Sequence, residues 1–133
     1  MKRVYFMKIL LLWLSLGSLA FANLEVMISH NNKLISVTKK EVSDLYLGKI
    51  KSIKGISVTP IDNKDSYKEF YKKVANKTPK QLKAYWIREM YKGDRIPPKK
   101  LSTAKINALP NKRGKVISYS NGSIQGKLIL TIR

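Results

Sequence analysis

The chain has 133 residues, room for one domain, with 27 Lys and Arg against 8 Asp and Glu and a formal charge of +19. It contains no cysteine, which excludes a disulfide framework, a Cys-based zinc site and a thiol nucleophile. Apolar residues reach 44%, too many for a disordered basic tail, so the sequence describes a small, strongly basic, folded protein.

Residues 1–22 read as a cleaved signal peptide. Met1-Lys2-Arg3 and Lys8 give a positive start, Ile9 to Leu19 is almost wholly apolar, and Ala20-Phe21-Ala22 is a small-x-small cleavage pattern. Removing these 22 of 133 residues leaves 111, and takes away three of the 27 basic residues, so the charge falls from +19 to +16. No later stretch approaches the roughly 20 apolar residues of a membrane span. Export without cysteine fits a bacterial periplasm, where disulfides are allowed but not required. Residues 23–133 are then the domain.

Leu24 to Ile28 reads as a strand, followed by the polar turn Ser29-His30-Asn31-Asn32-Lys33. Thr38-Lys39-Lys40-Glu41 is a capping box in which hydroxyl and carboxylate each satisfy an orphan backbone N–H. Val42, Leu45 and Tyr46 form the apolar face of the helix it opens, and Gly48 suits a left-handed end. Ile56 to Ile61 predicts a second strand, with Pro60 near its end. Ser66-Tyr67-Lys68-Glu69 predicts a second capping box, with Tyr67, Phe70, Tyr71 and Val74 as the inner face of about ten helical residues.

Thr78-Pro79-Lys80-Gln81 opens a third helix whose stripe is Leu82, Tyr85, Trp86 and Met90, ended by Gly93. Asp94 to Lys100, with Pro97-Pro98, predicts an extended loop. Ser102 or Thr103 caps a short helix stopping before Pro110. Val116 to Tyr119 and Leu128 to Ile132 are strands separated by the turn Ser120-Asn121-Gly122-Ser123. The expected fold is α/β, a single small sheet flanked by helices.

In order and spacing these pieces resemble the short, phosphate-transporter-type periplasmic substrate-binding proteins of the type II binding-protein fold. The resembling residues are Glu41 to Ile50 (EVSDLYLGKI), Val58-Thr59-Pro60-Ile61-Asp62, Phe70 to Val74, Thr78 to Trp86, Gly93 before Pro97-Pro98, and Ile117-Ser118-Tyr119. The resemblance covers about residues 24–132 and implies one lobe of that fold. It also implies a small oxyanion such as phosphate as ligand, with a membrane transporter or second periplasmic subunit as partner. Full-length phosphate-binding proteins enclose the anion between two lobes with an Arg-Ser-Asp-Gly-Ser-Gly-Thr type loop at a helix start. Here that loop is Asp62-Asn63-Lys64-Asp65-Ser66-Tyr67-Lys68, with Asp62 at the arginine position and Tyr67 at a glycine.

The start of the Ser66 helix is the candidate ligand site, because free N–H groups and the positive end of the helix dipole suit an oxyanion. Asn63, Lys64, Ser66, Tyr67 and Lys68 are its candidate residues; the competing reading is that Ser66 only caps its helix with Glu69. Ser29, beside His30 and Asn31 after the first strand, is added because open α/β sheets bind ligands beyond strand ends. Asp62 and Asp65 read as complements to the helix dipole. A single histidine and the lack of G-x-S-x-G, H-E-x-x-H, EF-hand, P-loop or G-x-G-x-x-G patterns assign no catalytic residue, metal or cofactor.

Three functions follow, in order of preference. The first is a periplasmic module binding an oxyanion weakly or with a partner. The second is a non-catalytic envelope scaffold with a basic docking face. The third, least favoured, is a secreted nucleic-acid binder stacking bases on its tyrosines and Trp86; helical spacing assigns those rings to the core instead.

Overall fold

A computed structural model describes residues 23–109, 114–122 and 124–133. The expected leader 1–22, Pro110 and the Ser123 end of the expected turn lie outside the described residues. Strand β1 (Leu24–Ile28) leads to helix α1 (Lys39–Tyr46), then a hairpin of β2 (Ser52–Ile53) and β3 (Ile56–Ser57). Next come β4 (Thr59–Asn63), α2 (Tyr67–Ala75), α3 (Pro79–Lys92) and β5 (Lys99–Leu101). The chain closes with α4 (Thr103–Asn107), β6 (Val116–Ser120) and β7 (Lys127–Ile132).

The main sheet has five strands in the order β5-β4-β6-β1-β7. Strand β4 is parallel to β5 and β6, whereas β1 is antiparallel to β6 and β7. The two carboxyl-terminal strands are therefore not a hairpin, because β1 lies between them. Alternation along each strand sends neighbouring residues to opposite faces. Leu24, Val26, Ile28, Ile117 and Tyr119 join the large core beneath α1, α2 and α3. Met27 and Ile61 join a smaller core with Ile106 of α4 and Ile124. The result is a mixed α/β sheet flanked by helices.

Local chemistry explains most of the elements. Thr38 and Thr78 sit in the extended conformation of an N-cap, with ψ of 158° and 164°, and both complete reciprocal capping boxes. The expected box at Ser66 does not form. Its ψ is 12°, its hydroxyl makes no bond to the first turn, and Glu69 pairs with Lys73 at 3.0 Å instead. The expected strand over 56–61 splits into the hairpin strand β3 and β4, separated at Val58, which faces the core. Part of the expected loop 94–100 is the edge strand β5, recruited by parallel pairing of Ile61 to Asn63 with Lys99 to Leu101. On α3 the inner stripe is Leu82, Tyr85, Trp86 and Glu89, while Met90 is exposed. Glu89 takes that place because Arg95 and Lys92 reach it at 3.4 and 3.5 Å.

Candidate site at the carboxyl end of strand β4

Strand β4 ends in two polar residues that alternation sends to opposite faces of the sheet. Asp62 turns toward α2, where its carboxylate accepts the Tyr71 hydroxyl at 3.0 Å and the Tyr119 hydroxyl at 2.8 Å. Around it the Tyr119 ring stacks on Phe70 at 3.6 Å, and the Tyr46 ring meets both edge-on. The Tyr46 hydroxyl lies 3.1 Å from the carbonyl oxygens of both Ile61 and Ile117, so it ties β4 to β6. Burial raises the Asp62 carboxyl from 3.8 to about 6, against the two tyrosine hydrogen bonds and the charge of Lys100, which lower it. The same burial, with the Asp62 charge, drives the Tyr71 and Tyr119 hydroxyls far above their ordinary value, so both remain donors.

Asn63 faces the other way. It is wholly buried, and its amide donates to the Tyr119 carbonyl at 2.9 Å and to Thr103 Oγ1 at 3.0 Å. Its Oδ1 accepts the Asp65 N–H at 2.8 Å, an Asx-type turn that reverses the chain after β4. Asp65 in turn accepts the N–H and the hydroxyl of Thr103, both at 3.0 Å. The N–H bond from Thr103 first, and its hydroxyl second, hold the Asp65 carboxyl below its usual range. The loop is thus stapled to α4, and neither aspartate acts merely as a complement to the α2 dipole.

Ser66 follows this loop at the amino end of α2. Its side chain is buried, and its Oγ has no hydrogen-bond partner among the described residues. The first intrahelical bond of α2 is from the Phe70 N–H to the Ser66 carbonyl, so the N–H groups of Tyr67, Lys68 and Glu69 precede the helical ladder. Lys64 and Lys68 are exposed beside them. Tyr67 is half-buried, with its ring beneath Lys100 Nζ at 3.8 Å. A groove of about 680 Å³ lies alongside, lined by Asp62, Tyr67, Trp86 and Lys100 among others, but Ser66, Lys64 and Lys68 do not line it.

The structure brings Ser66, Tyr67, Lys64 and Lys68 to one helix start, and commits the Asn63 side chain to the other face of the sheet. Ser29 is not with them. Ile28 pairs with Ile117, which lies level with Pro60 at the amino end of β4. Ser29 is thus separated from the Ser66 loop by roughly 10 Å or more along the strands. The strand-end argument fails for it because β1 runs antiparallel to β4. Ser29 donates to Asn31 Oδ1 at 2.5 Å and borders a separate cavity of about 420 Å³ with His30 and Gly126.

Sequence reasoning missed the Asp62–Tyr71–Tyr119 cluster. The alternation of β4 was a usable signal, since it puts Asp62 on the face that carries the helices. Nothing local pointed to Thr103, which lies 38 residues from Asp65.

No protein-family model matches the sequence, and no curated protein matches it. Among solved structures the chain is similar to a Clostridium perfringens protein described as a phosphate ABC transporter substrate-binding protein, with phosphate bound. The TM-score is 0.52 at 18% identity, over 74% of this chain and 40% of that one. The likeness is one of fold, and this chain spans less than half the length of that protein.

Proposed function

We propose that the chain is an extracytoplasmic binding module, built as one lobe of a substrate-binding-protein fold, that holds a small oxyanion such as phosphate at the amino end of α2. The observation that carries this reading is the Ser66 hydroxyl, buried and without a partner at a helix start that carries uncapped N–H groups. A buried hydroxyl left unsatisfied is costly, and an anion that accepts from it and from the N–H groups of Tyr67 and Lys68 removes that cost. Lys64 and Lys68 supply the countercharge. The fold shared with a phosphate-bound protein supports the choice of anion.

A single lobe leaves one side of the anion in water, where charge-assisted bonds are weak. Binding by the isolated protein is accordingly near millimolar, about 4 kcal/mol. A membrane transporter or second extracytoplasmic subunit supplies the missing wall. Calorimetry with inorganic phosphate at low salt tests the reading, with Ser66→Ala expected to weaken binding severalfold. Micromolar binding by the wild type would refute the one-lobe argument. No heat at tens of millimolar would refute the site.

A further inference from the structure

We propose that the carboxyl half of α3 and the loop joining it to β5 form a surface that docks on anionic lipid headgroups. Six large apolar side chains are exposed among the described residues, and four of them fall within residues 87–96. These are Ile87, Met90, Tyr91 and Ile96, with Tyr91 94% and Ile96 81% exposed. Ile87 and Met90 share one cavity wall with Pro97 and Pro98, so the helix and loop portions are continuous. Clustered apolar exposure of this kind marks an interaction surface, whereas scattered single residues do not.

The patch is held in place. Arg95 donates to the Tyr85 hydroxyl at 2.9 Å and pairs with Glu89, while the Tyr85 hydroxyl donates to the Leu47 carbonyl at 2.6 Å. Ile96 therefore projects from an anchored neighbour. The surrounding charge is one-sided: Lys83, Arg88, Lys92, Lys99 and Lys100 are exposed. Of the two carboxylates within residues 80–100, Glu89 is buried in its ion pairs, which leaves Asp94 as the exposed one.

Tyr91 lines neither neighbouring groove, and Ile87, Met90 and Ile96, which do line them, still leave more than half of their surface in solvent, which suits insertion among headgroups better than enclosure of a peptide. Basic residues around an apolar face give the complementary charge that interfacial binding to anionic lipid requires. Among the described residues no helix is long and apolar enough to cross a membrane. The inference does not rest on the oxyanion reading, although Tyr67 of that site lines the same groove as Ile87 and Met90.

The test is cosedimentation of protein beginning at Asn23, a chain that carries the whole described core, with phosphatidylglycerol-containing vesicles and with pure phosphatidylcholine vesicles. A protein this basic adheres to any anionic surface through charge alone, so the comparison is repeated at about 0.5 M NaCl, where that attraction is screened. The wild type is expected to retain binding to anionic vesicles there, and the double variant Tyr91→Ser, Ile96→Ser to lose roughly tenfold or more. The control pair Ile35→Ser, Leu128→Ser removes a smaller exposed apolar surface beside β7, across the sheet from β5, and is expected to leave binding unchanged. Thermal melts of both variants verify that they are folded. Equal binding by all forms, or equal loss in both pairs, would overturn the proposal. So would a lack of vesicle binding together with self-association that the Tyr91 and Ile96 changes abolish, which would assign the patch to a second copy of the chain.

Discussion

Tyr119 donates its hydroxyl to Asp62 at 2.8 Å across 57 residues of sequence, and this bond joins β6 to the carboxyl end of the neighbouring strand β4. The Tyr71 hydroxyl completes the arrangement from the helix side, so the carboxylate is buried but solvated by two phenols. Burial still dominates, which is why the carboxyl titrates near 6.

That shift has a sign for stability. The native state binds the Asp62 proton more tightly than the unfolded chain, whose carboxyl titrates near 3.8. Stability from this group is therefore fully present below about pH 3.8 and is lost as the pH rises through about 6. The loss is at most about 3 kcal/mol. Asp62→Asn removes the ionisation and keeps one carbonyl acceptor. In urea unfolding between pH 4 and 7, wild-type stability minus that of Asp62→Asn should fall with pH. A difference that stays flat or rises would show that the two tyrosines, and not burial, control this carboxyl.

Two hydroxyls at helix starts should respond oppositely to truncation. Thr78→Ala loses a working capping box and should cost about 1 kcal/mol. Ser66→Ala deletes a buried hydroxyl that has no partner, so in phosphate-free buffer it should be neutral or stabilise by up to about 1 kcal/mol. Chemical denaturation of the two variants side by side checks the contrast. A clear loss at Ser66 would mean that the hydroxyl has a structural partner.

Gly126 cannot carry a side chain. Its φ is +143°, and a Cβ placed there would stand 2.7 Å from the carbonyl oxygen of Ile28. Gly126→Ala combines backbone strain with a backbone clash and should destabilise by about 2 kcal/mol or more. The effect is read from the urea midpoint, and a midpoint within error of the wild type would contradict it.

Trp86 is 8% exposed and packs edge-on against Tyr85 with ring centres 5.1 Å apart. Trp86→Ala should therefore cost about 3–5 kcal/mol by denaturant titration. Unchanged stability accompanied by lost oligonucleotide binding would move the ring from core to stacking platform.

How legible was this molecule in its sequence? Helix starts at Thr38 and Thr78 were readable because a capping box is chemistry between residues three apart. Val42, Leu45, Tyr46, Phe70, Tyr71, Leu82, Tyr85 and Trp86 were readable as core because helical periodicity is also local. The α/β class followed from strands alternating with helices. Ser66 carries the same local signature, yet it does not cap. The Asn63–Asp65–Thr103 staple fixes its backbone, and one of those partners comes from another element.

Strand neighbours were decided only by the tertiary structure. Pairing β1 antiparallel to β6, which is itself parallel to β4, put Ser29 at the opposite end of the sheet from the Ser66 loop. Met90 gave up its inner position because Lys92, in the last turn of the helix, and Arg95, beyond its end, gather on Glu89. Local patterns determine what each segment can be. Which segments meet, and which polar groups find partners, depends on pairings across tens of residues that no window of sequence contains.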